Sequence, residues 1–153
     1  MPPNKQDLDR RLRALVHTAS VMTLASVDSA GPWASPVYFL YDARQFFFYS
    51  APDSRHIRST RNIPAAASVH ADSTTIKTIC GLQMNGRILA VTAPRIWLTA
   101  GQGYIKKFSL SKTRIPSAPG DMGSIRLYAF IPESARYLDN GIRFGYKTWV
   151  KLP

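Results

Sequence analysis

The sequence predicts a mainly-β protein, an antiparallel β-barrel of six or seven strands decorated by two or three helices. Three observations support this prediction. The chain has 153 residues, of which 45% are apolar, and this length and composition favour one domain, residues 1–153, around one hydrophobic core. Short segments rich in aromatic and β-branched residues alternate with turn residues. The few helical segments do not alternate with strands in the way that a parallel sheet requires.

The N-terminal third of the chain is predicted to form a helix followed by a three-stranded meander. Asn4 is a suitable N-cap, and the apolar residues that follow recur at helical spacing. Strands are predicted at 21–27, 33–41 and 46–49, with turn residues between them. Consecutive strands joined by short turns favour antiparallel pairing.

A short helix and a long strand are predicted next. Asp53 is the expected N-cap of a helix that ends before Pro64, and a strand follows at 65–71. Residues 76–91 are predicted to form one long strand or a bent pair. Two glycines in this segment are β-bulge candidates, Gly81 and Gly86.

The C-terminal third is predicted to contain a helix, a loop and the closing strands. Four apolar residues lie on one face of the helix: Trp97, Ala100, Tyr104 and Phe108. The segment 109–123 is rich in proline and glycine and is predicted to be a loop. A strand is predicted at 125–131. Asn140-Gly141 is a type I′ turn signal that would join strands at 135–138 and 142–150.

The net charge of +11, from 20 Lys and Arg against 9 Asp and Glu, bounds the choice of ligand. Such an excess attracts anions, whether nucleic acid, phosphates or acidic lipid. The basic residues are spread along the chain and form no long tail. The charge therefore favours a phosphorylated ligand, and it leaves nucleic-acid binding open as an alternative.

Several other classes of site are not expected. Cys80 is the only cysteine, so an internal disulfide is impossible. The three histidines, His17, His56 and His70, lack the spacing of metal ligands, and we expect no metal site. No apolar run is long enough to span a membrane, and the N-terminus lacks a signal-peptide pattern. We therefore expect a cytoplasmic location and no membrane partner.

The segment 46–62 has the composition of a phosphate site. An aromatic strand ends at Ser50, and Ser54 and Arg55 follow where a short helix is predicted to begin. Free N–H groups at a helix start, hydroxyl donors and a bidentate guanidinium are all groups that bind phosphate. A polar helix cap on a solvated face would have the same composition, and the residues alone leave both interpretations open.

The segment 48–56 (FYSAPDSRH) resembles the stretch of pyridoxamine 5′-phosphate oxidase and its split-barrel relatives that binds the FMN phosphate. Four residues match that pattern, namely Tyr49, Ser50, Ser54 and Arg55, and His56 stands where the family usually has Lys. The predicted order of elements also resembles the family over roughly residues 5 to 150. Within the superfamily the chain is similar to a small uncharacterised branch, through the segments 38–42, 81–86 and 144–149.

This resemblance implies a dimeric split barrel with a flavin site. Ser50, Ser54, Arg55 and His56 would hold the FMN phosphate. The backbone at Pro36, Val37 and Tyr38 would follow the isoalloxazine edge, and Gln83 would hydrogen-bond the ring. The flavin lies at the homodimer interface in this family, so residues of the partner could reach it, the candidates being Trp97, Tyr104, Lys106, Lys107 and Trp149. The segment 34–40 lacks the basic residues of the family oxidase, so oxidation of pyridoxamine phosphate itself is not expected.

Three functions are compatible with these observations. The first is an FMN-binding protein, either a flavin carrier or a flavin-dependent oxidoreductase that acts on a small molecule. The second is a split barrel without FMN that binds haem, a related tetrapyrrole or another phosphorylated ligand; the uncharged segment 34–40 and His56 favour it, and the three histidines are possible axial ligands. The third, favoured only by net charge, is nucleic-acid binding.

Overall fold

The computed structural model describes residues 3–110 and 125–153 of the chain. Within these ranges the helices are α1 (Lys5–Thr18), α2 (Arg55–Arg58) and α3 (Pro94–Phe108), with one turn of 3-10 helix at Ile76–Thr78. The strands are β1 (Val21–Asp28), β2 (Gly31–Tyr38), β3 (Leu40–Asp42), β4 (Gln45–Ser50), β5 (Ala65–His70), β6 (Cys80–Ala90), β7 (Arg126–Asp139) and β8 (Lys147–Val150).

These strands form one antiparallel sheet that curls into a half-barrel. The order along the sheet is β2-β1-β5-β6-β7-β4-β3, and β8 pairs with the far end of β7. β2, at one end of this path, also contacts β4, near the other end. The predicted mainly-β antiparallel barrel is therefore confirmed, with the helices packed on the sheet. None of the described helices is long and apolar enough to cross a membrane, and the cytoplasmic location stays a prediction.

The first helix forms as predicted. The Asn4 side chain accepts a hydrogen bond from the Asp7 N–H at 2.8 Å, which satisfies one of the unpaired donors of the first turn. Leu12 and Val16 are fully buried against the sheet. Arg11 then reaches the nearly buried carboxylate of Asp139 at 3.2 Å, so an ion pair joins the outer side of α1 to the end of β7.

A β-bulge interrupts the ladder between β6 and β7, and its extra residue, Glu133, lies in β7. The register between the two strands shifts between Asn85 and Gly86. A Cβ atom on Gly86 would lie 2.1 Å from the carbonyl oxygen of Ile131, so only glycine allows this approach. The predicted bulge is confirmed at the position of Gly86, although the extra residue lies in the facing strand β7. The predicted bulge at Gly81 is wrong, because the ladder runs through Gly81 without a shift.

Two long predicted strands are interrupted in the structure. The segment 33–41 divides into β2 and β3 because Phe39 turns its side chain fully into the core, while its N–H donates to the carbonyl of Ser20 at 3.1 Å. The predicted strands at 125–131 and 135–138, in contrast, form the single strand β7, so the described residues contain eight strands. The segment 76–91 begins with the 3-10 turn, in which the Thr78 N–H bonds back to Thr75, and only then enters β6.

The tight hairpin turn lies elsewhere than predicted. Asn140-Gly141 is not a type I′ turn, since neither residue has a positive φ; the Asn140 side chain instead bridges a longer loop, accepting from the Gly145 N–H and donating to Ile76. Ala43 and Arg44 are the consecutive residues with positive φ, at 48° and 63°. They form the two-residue connection between β3 and β4, as a type I′ turn requires.

Helix α3 covers the outer face of β4 and β7 with a second, smaller core. Trp97 and Tyr104 are buried there with Phe47, as predicted for the apolar face of this helix. The helix contains Gly103, where a Cβ would meet the Leu40 side chain at 2.5 Å. Close packing on β3 therefore accounts for this glycine within a helix. The predicted loop 109–123 lies almost entirely outside the described residues.

The short helix α2 is tied to the β1–β2 hairpin by an ion pair. Arg55 donates from Nε and Nη2 to the two carboxylate oxygens of Asp28, at 2.8 and 2.9 Å. The prediction that Asp53 caps this helix is wrong. Ser54 occupies the N-cap position, and its hydroxyl donates to the Ala51 carbonyl instead of capping the helix.

We expect Gly86→Ala to destabilise the protein by roughly 3 kcal/mol or more, because the added methyl group meets backbone atoms that no side-chain rotation can move. Urea unfolding monitored by tryptophan fluorescence measures the loss. Gly81→Ala is the matched control in the same strand. Its Cβ would lie 3.0 Å from the Val69 carbonyl oxygen, so the expected loss is below about 1 kcal/mol. Equal losses in both variants would contradict a specific role for the bulge.

We also expect the contribution of Asp28 to stability to disappear in acid. The hydrogen bonds from Arg55 hold the pKa of Asp28 below its usual value of 3.8. The ionic form is thus favoured in the folded state, so the pair stabilises the fold above about pH 4 and less as the pH falls through the folded-state pKa. Urea midpoints of the wild type and Asp28→Asn should differ at pH 7 and converge below about pH 4. Asp53→Asn, at an exposed carboxylate, should show no such convergence.

Candidate functional site

Two hydroxyl groups and one imidazole meet where β4 ends and α2 begins. Ser50 Oγ lies 2.8 Å from His56 Nε2 and 3.1 Å from Ser54 Oγ, and Ser54 Oγ lies 3.3 Å from the same nitrogen. All three residues are half-buried. We call Ser50, Ser54 and His56 the polar cluster. The sequence placed these residues in one site, and the structure brings them together.

The chain folds this way because α2 follows β4 after a very short turn. The Ser54 N–H donates to the Ala51 carbonyl at 3.1 Å, which reverses the chain and sets Ser54 beside Ser50. His56 then lies one residue into α2, with its ring 6.4 Å from the Phe48 ring. Burial lowers the pKa of His56, so its imidazole is neutral at pH 7 and acts as a hydrogen-bonding group rather than a cation.

Arg55 lies next to the polar cluster in sequence, but its guanidinium points to the β1–β2 hairpin. Besides the two bonds to Asp28, Nη2 donates to the Gly31 carbonyl at 3.2 Å. The guanidinium carbon also stands 4.5 Å from the centre of the Trp33 ring. One nitrogen, Nη1, makes no hydrogen bond to the described residues. Sequence reasoning treated Asp28 only as a turn residue and did not identify either partner of Arg55.

Tyr49 is separated from the polar cluster by the alternation of the strand. Successive side chains of a strand point to opposite faces, so Ser50 faces the cluster and Tyr49 faces α3. Its ring packs edge-on against Trp97 and Tyr104, with centroids 5.8 and 5.0 Å away. The Tyr49 hydroxyl is buried without a hydrogen-bond partner among the described residues, and burial raises the pKa of Tyr49 to about 12.

The residues predicted to lie along the flavin ring are divided between the two faces of the sheet. Val37 packs against the core, whereas Pro36 and Tyr38 face outwards. Gln83 is also on the outer face, in the same cross-strand row as Pro36 but with β1 and β5 between them. The structure of one chain therefore places Gln83 and Pro36 on one surface and does not join them to the polar cluster.

The candidates for reaching a partner subunit have different surroundings. Lys107 points inwards, and its ammonium donates to the carbonyls of Ala19 and Phe39 at 2.7 and 3.0 Å. Burial lowers the pKa of Lys107 to about 8. Trp149 is 68% exposed on β8, and Arg136 stands 5.7 Å from its ring centre. Strand register alone would have shown Arg136 beside Gln83 and Trp149, but that register was not evident from the sequence.

The polar cluster can bind an oxyanion but is poorly suited to acid–base catalysis. It offers one neutral imidazole and two hydroxyls, of which that of Ser54 donates to the Ala51 carbonyl, and these groups can bind an oxyanion. It contains no carboxylate: Asp53, next to Ser54 in the chain, is exposed, and Asp28 is held by Arg55. In the part of the chain that the structure describes, no cluster of His, Cys, Asp or Glu could hold a metal ion.

Relatives with known sequences and structures share this fold. The chain is 27% identical to a UPF0306 protein of Cronobacter sakazakii over 135 residues. This aligned region covers 86% of this chain and 87% of the relative. A heme binding protein of Mycobacterium smegmatis matches with a TM-score of 0.74 at 17% identity, over 98% of this chain and 59% of its own. HutZ, the heme storage protein of Vibrio cholerae, matches with a TM-score of 0.67 at 16% identity, over 82% and 90% of the two chains.

The sequence profile of one family covers most of the chain. The profile of pyridoxamine 5′-phosphate oxidase matches residues 8–138, which include the polar cluster and every strand except β8. The resemblance found in the segment 48–56 thus extends over the whole sheet up to the end of β7. The chain belongs to the pyridoxamine 5′-phosphate oxidase family.

Proposed function

We propose that this protein is a single-domain FMN-binding protein that acts as a flavin-dependent oxidoreductase on a small molecule. The observation that carries the proposal is the polar cluster, in which Ser50, Ser54 and His56 converge within 3.3 Å of one another. Family membership supports a flavin as the ligand, and the cluster supplies the donors for its phosphate.

The cluster fits a phosphate in donor chemistry. The Ser50 hydroxyl can donate one hydrogen bond, and the His56 imidazole can donate a second in the appropriate tautomer. The Ser54 hydroxyl donates to the Ala51 carbonyl at 2.8 Å and would rotate to donate to the phosphate. Positive charge comes from the neighbours: Arg55 has Nη1 available, and Arg126 stands opposite Ser50 in the β4–β7 ladder. The hydrogen bond between Ser50 and His56 would give way to bonds with the phosphate oxygens.

Bound FMN supplies hydride and single-electron transfer through its ring, and the chain supplies position and electrostatics. The cluster would hold the anionic end of FMN. The carboxylate of Asp28 is paired with Arg55, and that of Asp53, next to Ser54, is exposed to solvent. Gln83, on the outer face, would donate or accept one hydrogen bond at the edge of the planar ring. The substrate would have to approach a ring that lies on this outer face.

We further propose that the protein works as a homodimer. The outer face of β1 and β2 exposes several large apolar side chains, among them Val27 at 61% and Tyr38 at 64%. Smaller residues on the same face, such as Ala25 and Ala34, line a concavity of about 540 Å³ that side chains of another chain could enter. A second copy covering this face would remove the apolar area from water. It would also enclose a flavin ring that would be exposed to solvent on a single chain.

Haem binding is a second candidate, because two of the structures that share this fold are described as heme-binding or heme-storage proteins. His56 is half-buried and its pKa is lowered by burial, so its imidazole is available in the neutral form that binds iron. His70 is exposed at the end of β5.

We expect Arg55→Ala to weaken FMN binding roughly 10- to 100-fold, the size of a lost charge-assisted contact. Fluorescence quenching of FMN gives the Kd. Asp28→Asn is the matched variant, because it breaks the same ion pair and leaves Arg55 free to donate to the phosphate. FMN binding to Asp28→Asn should equal or exceed that of the wild type. Equal weakening in both variants would show that Arg55 acts only through the fold, and unchanged affinity in Arg55→Ala would remove it from the site.

Haem titration tests the second candidate. If the protein binds haem through an axial imidazole, added haemin gives a shifted Soret band, and one of three variants, His17→Ala, His56→Ala or His70→Ala, abolishes the shift. A protein that retains FMN through gel filtration and leaves the haemin spectrum unchanged would decide against haem. A Soret shift that survives in all three variants would exclude histidine ligation.

A further inference from the structure

A cavity opens beside α2, and the polar cluster does not contribute to it. Its volume is about 400 Å³, within the usual range for small-molecule sites. It lies between the segment 60–63, which connects α2 to β5, and the strands β6 and β7. The lining residues are Ile57, Thr60, Arg61, Asn62, Ile63, Arg87, Ile88, Leu89, Ala90 and Tyr128.

The rim of this cavity carries an arginine without a partner. Arg61 is exposed and makes no hydrogen bond or ion pair with any residue in the described ranges. The segment that presents it is fixed, because the Thr60 hydroxyl donates to the His56 carbonyl at 2.6 Å and Asn62 adopts a left-handed conformation with φ of 63°. A cation held at the mouth of a cavity without a carboxylate beside it favours an anionic ligand.

The opposite rim adds a second arginine. Arg87 donates from Nε to Glu133 at 2.9 Å, and both side chains are about half exposed. This pair leaves the remaining N–H groups of Arg87 available. Glu133 balances the charge of Arg87, whereas Arg61 has no carboxylate partner among the described residues. The cavity mouth therefore carries a surplus of positive charge.

The walls and floor of the cavity are apolar and aromatic. Ile63 and Leu89 leave 45% and 52% of their surfaces exposed, which is costly unless something covers them. The floor is Tyr128, whose ring stacks on Phe48 with centroids 5.8 Å apart. Burial raises the pKa of Tyr128, and the charges of Arg61 and Arg126 oppose that rise.

We propose that this cavity binds a small organic anion, a carboxylate or sulfonate on an apolar body, with the anionic group at Arg61 and the apolar body between Ile63 and Leu89. An apolar ligand alone would leave Arg61 unused, and an inorganic anion would leave the apolar walls uncovered. The site is independent of FMN binding, since none of its lining residues belongs to the polar cluster.

A titration with 1-naphthoate tests this site, followed by ¹H–¹⁵N NMR at constant ionic strength. Wild-type protein should show saturable shifts at the amides of Arg61, Ile63 and Leu89. Arg61→Gln should weaken binding roughly tenfold, as expected for the loss of a charge-assisted contact. Arg58→Gln is the matched control, because it removes the same charge from an exposed residue nearby that does not line the cavity. Its affinity should stay within about twofold of the wild type.

The neutral isostere 1-naphthamide separates charge from apolar contact, and it should bind roughly tenfold more weakly than 1-naphthoate. Equal binding of the two probes, equal weakening in Arg58→Gln and Arg61→Gln, or shifts confined to the outer face around Ala25 and Trp33 would each overturn the proposal. The absence of saturable binding would do so as well. The FMN affinity of Arg61→Gln should match the wild type, so failure here is distinguishable from failure of the flavin site.

Discussion

The close approach of β6 to β7 at Gly86 is the constraint on which the curled sheet depends. β7 is paired along its length, with β4 and β6 over its first half and with β6 and β8 over its second. A β-bulge bends the strand that carries the extra residue. Here that residue is Glu133 of β7, next to Pro132, which pairs with Gly86. Because the backbone at Ile131 occupies the position of a Cβ atom, the fold requires glycine here. The curvature then brings β4 and α2 to the rim, where the polar cluster forms.

Successive side chains of β4 point to opposite faces of the sheet, and this alternation separates the roles of its residues. Phe46, Phe48 and Ser50 face the main core and its rim, whereas Phe47 and Tyr49 face α3. One strand thus completes two cores and also supplies the Ser50 hydroxyl of the polar cluster. Tyr49 and Ser50, which look like one functional unit in the sequence, therefore lie on opposite faces of the sheet. Tyr49 stabilises the packing of α3, and Ser50 belongs to the rim.

Local patterns predicted those features of the fold and the site that depend on neighbouring residues. The capping of α1 by Asn4, the bulge at Gly86 and the proximity of Ser50, Ser54 and His56 all follow from short-range spacing. Features set by distant partners were not predictable in this way. The split at Phe39 depends on the core that receives its ring. The partnership of Arg55 with Asp28 spans 27 positions, and the row from Gln83 to Trp149 depends on a register that sequence alone does not fix.

Arg55 serves the fold and the proposed phosphate site with the same guanidinium, and these two roles compete. The planar group has five N–H donors, and the bonds to Asp28 and Gly31 use Nε and Nη2 while Nη1 remains. A phosphate can therefore be bound without breaking the ion pair, though the carboxylate of Asp28 then lies close to it and weakens the attraction. Because His56 is neutral, the cluster itself contains no cation that would offset this effect of Asp28 on the phosphate. The arrangement favours a ligand whose affinity comes largely from its ring, with the phosphate serving to position it.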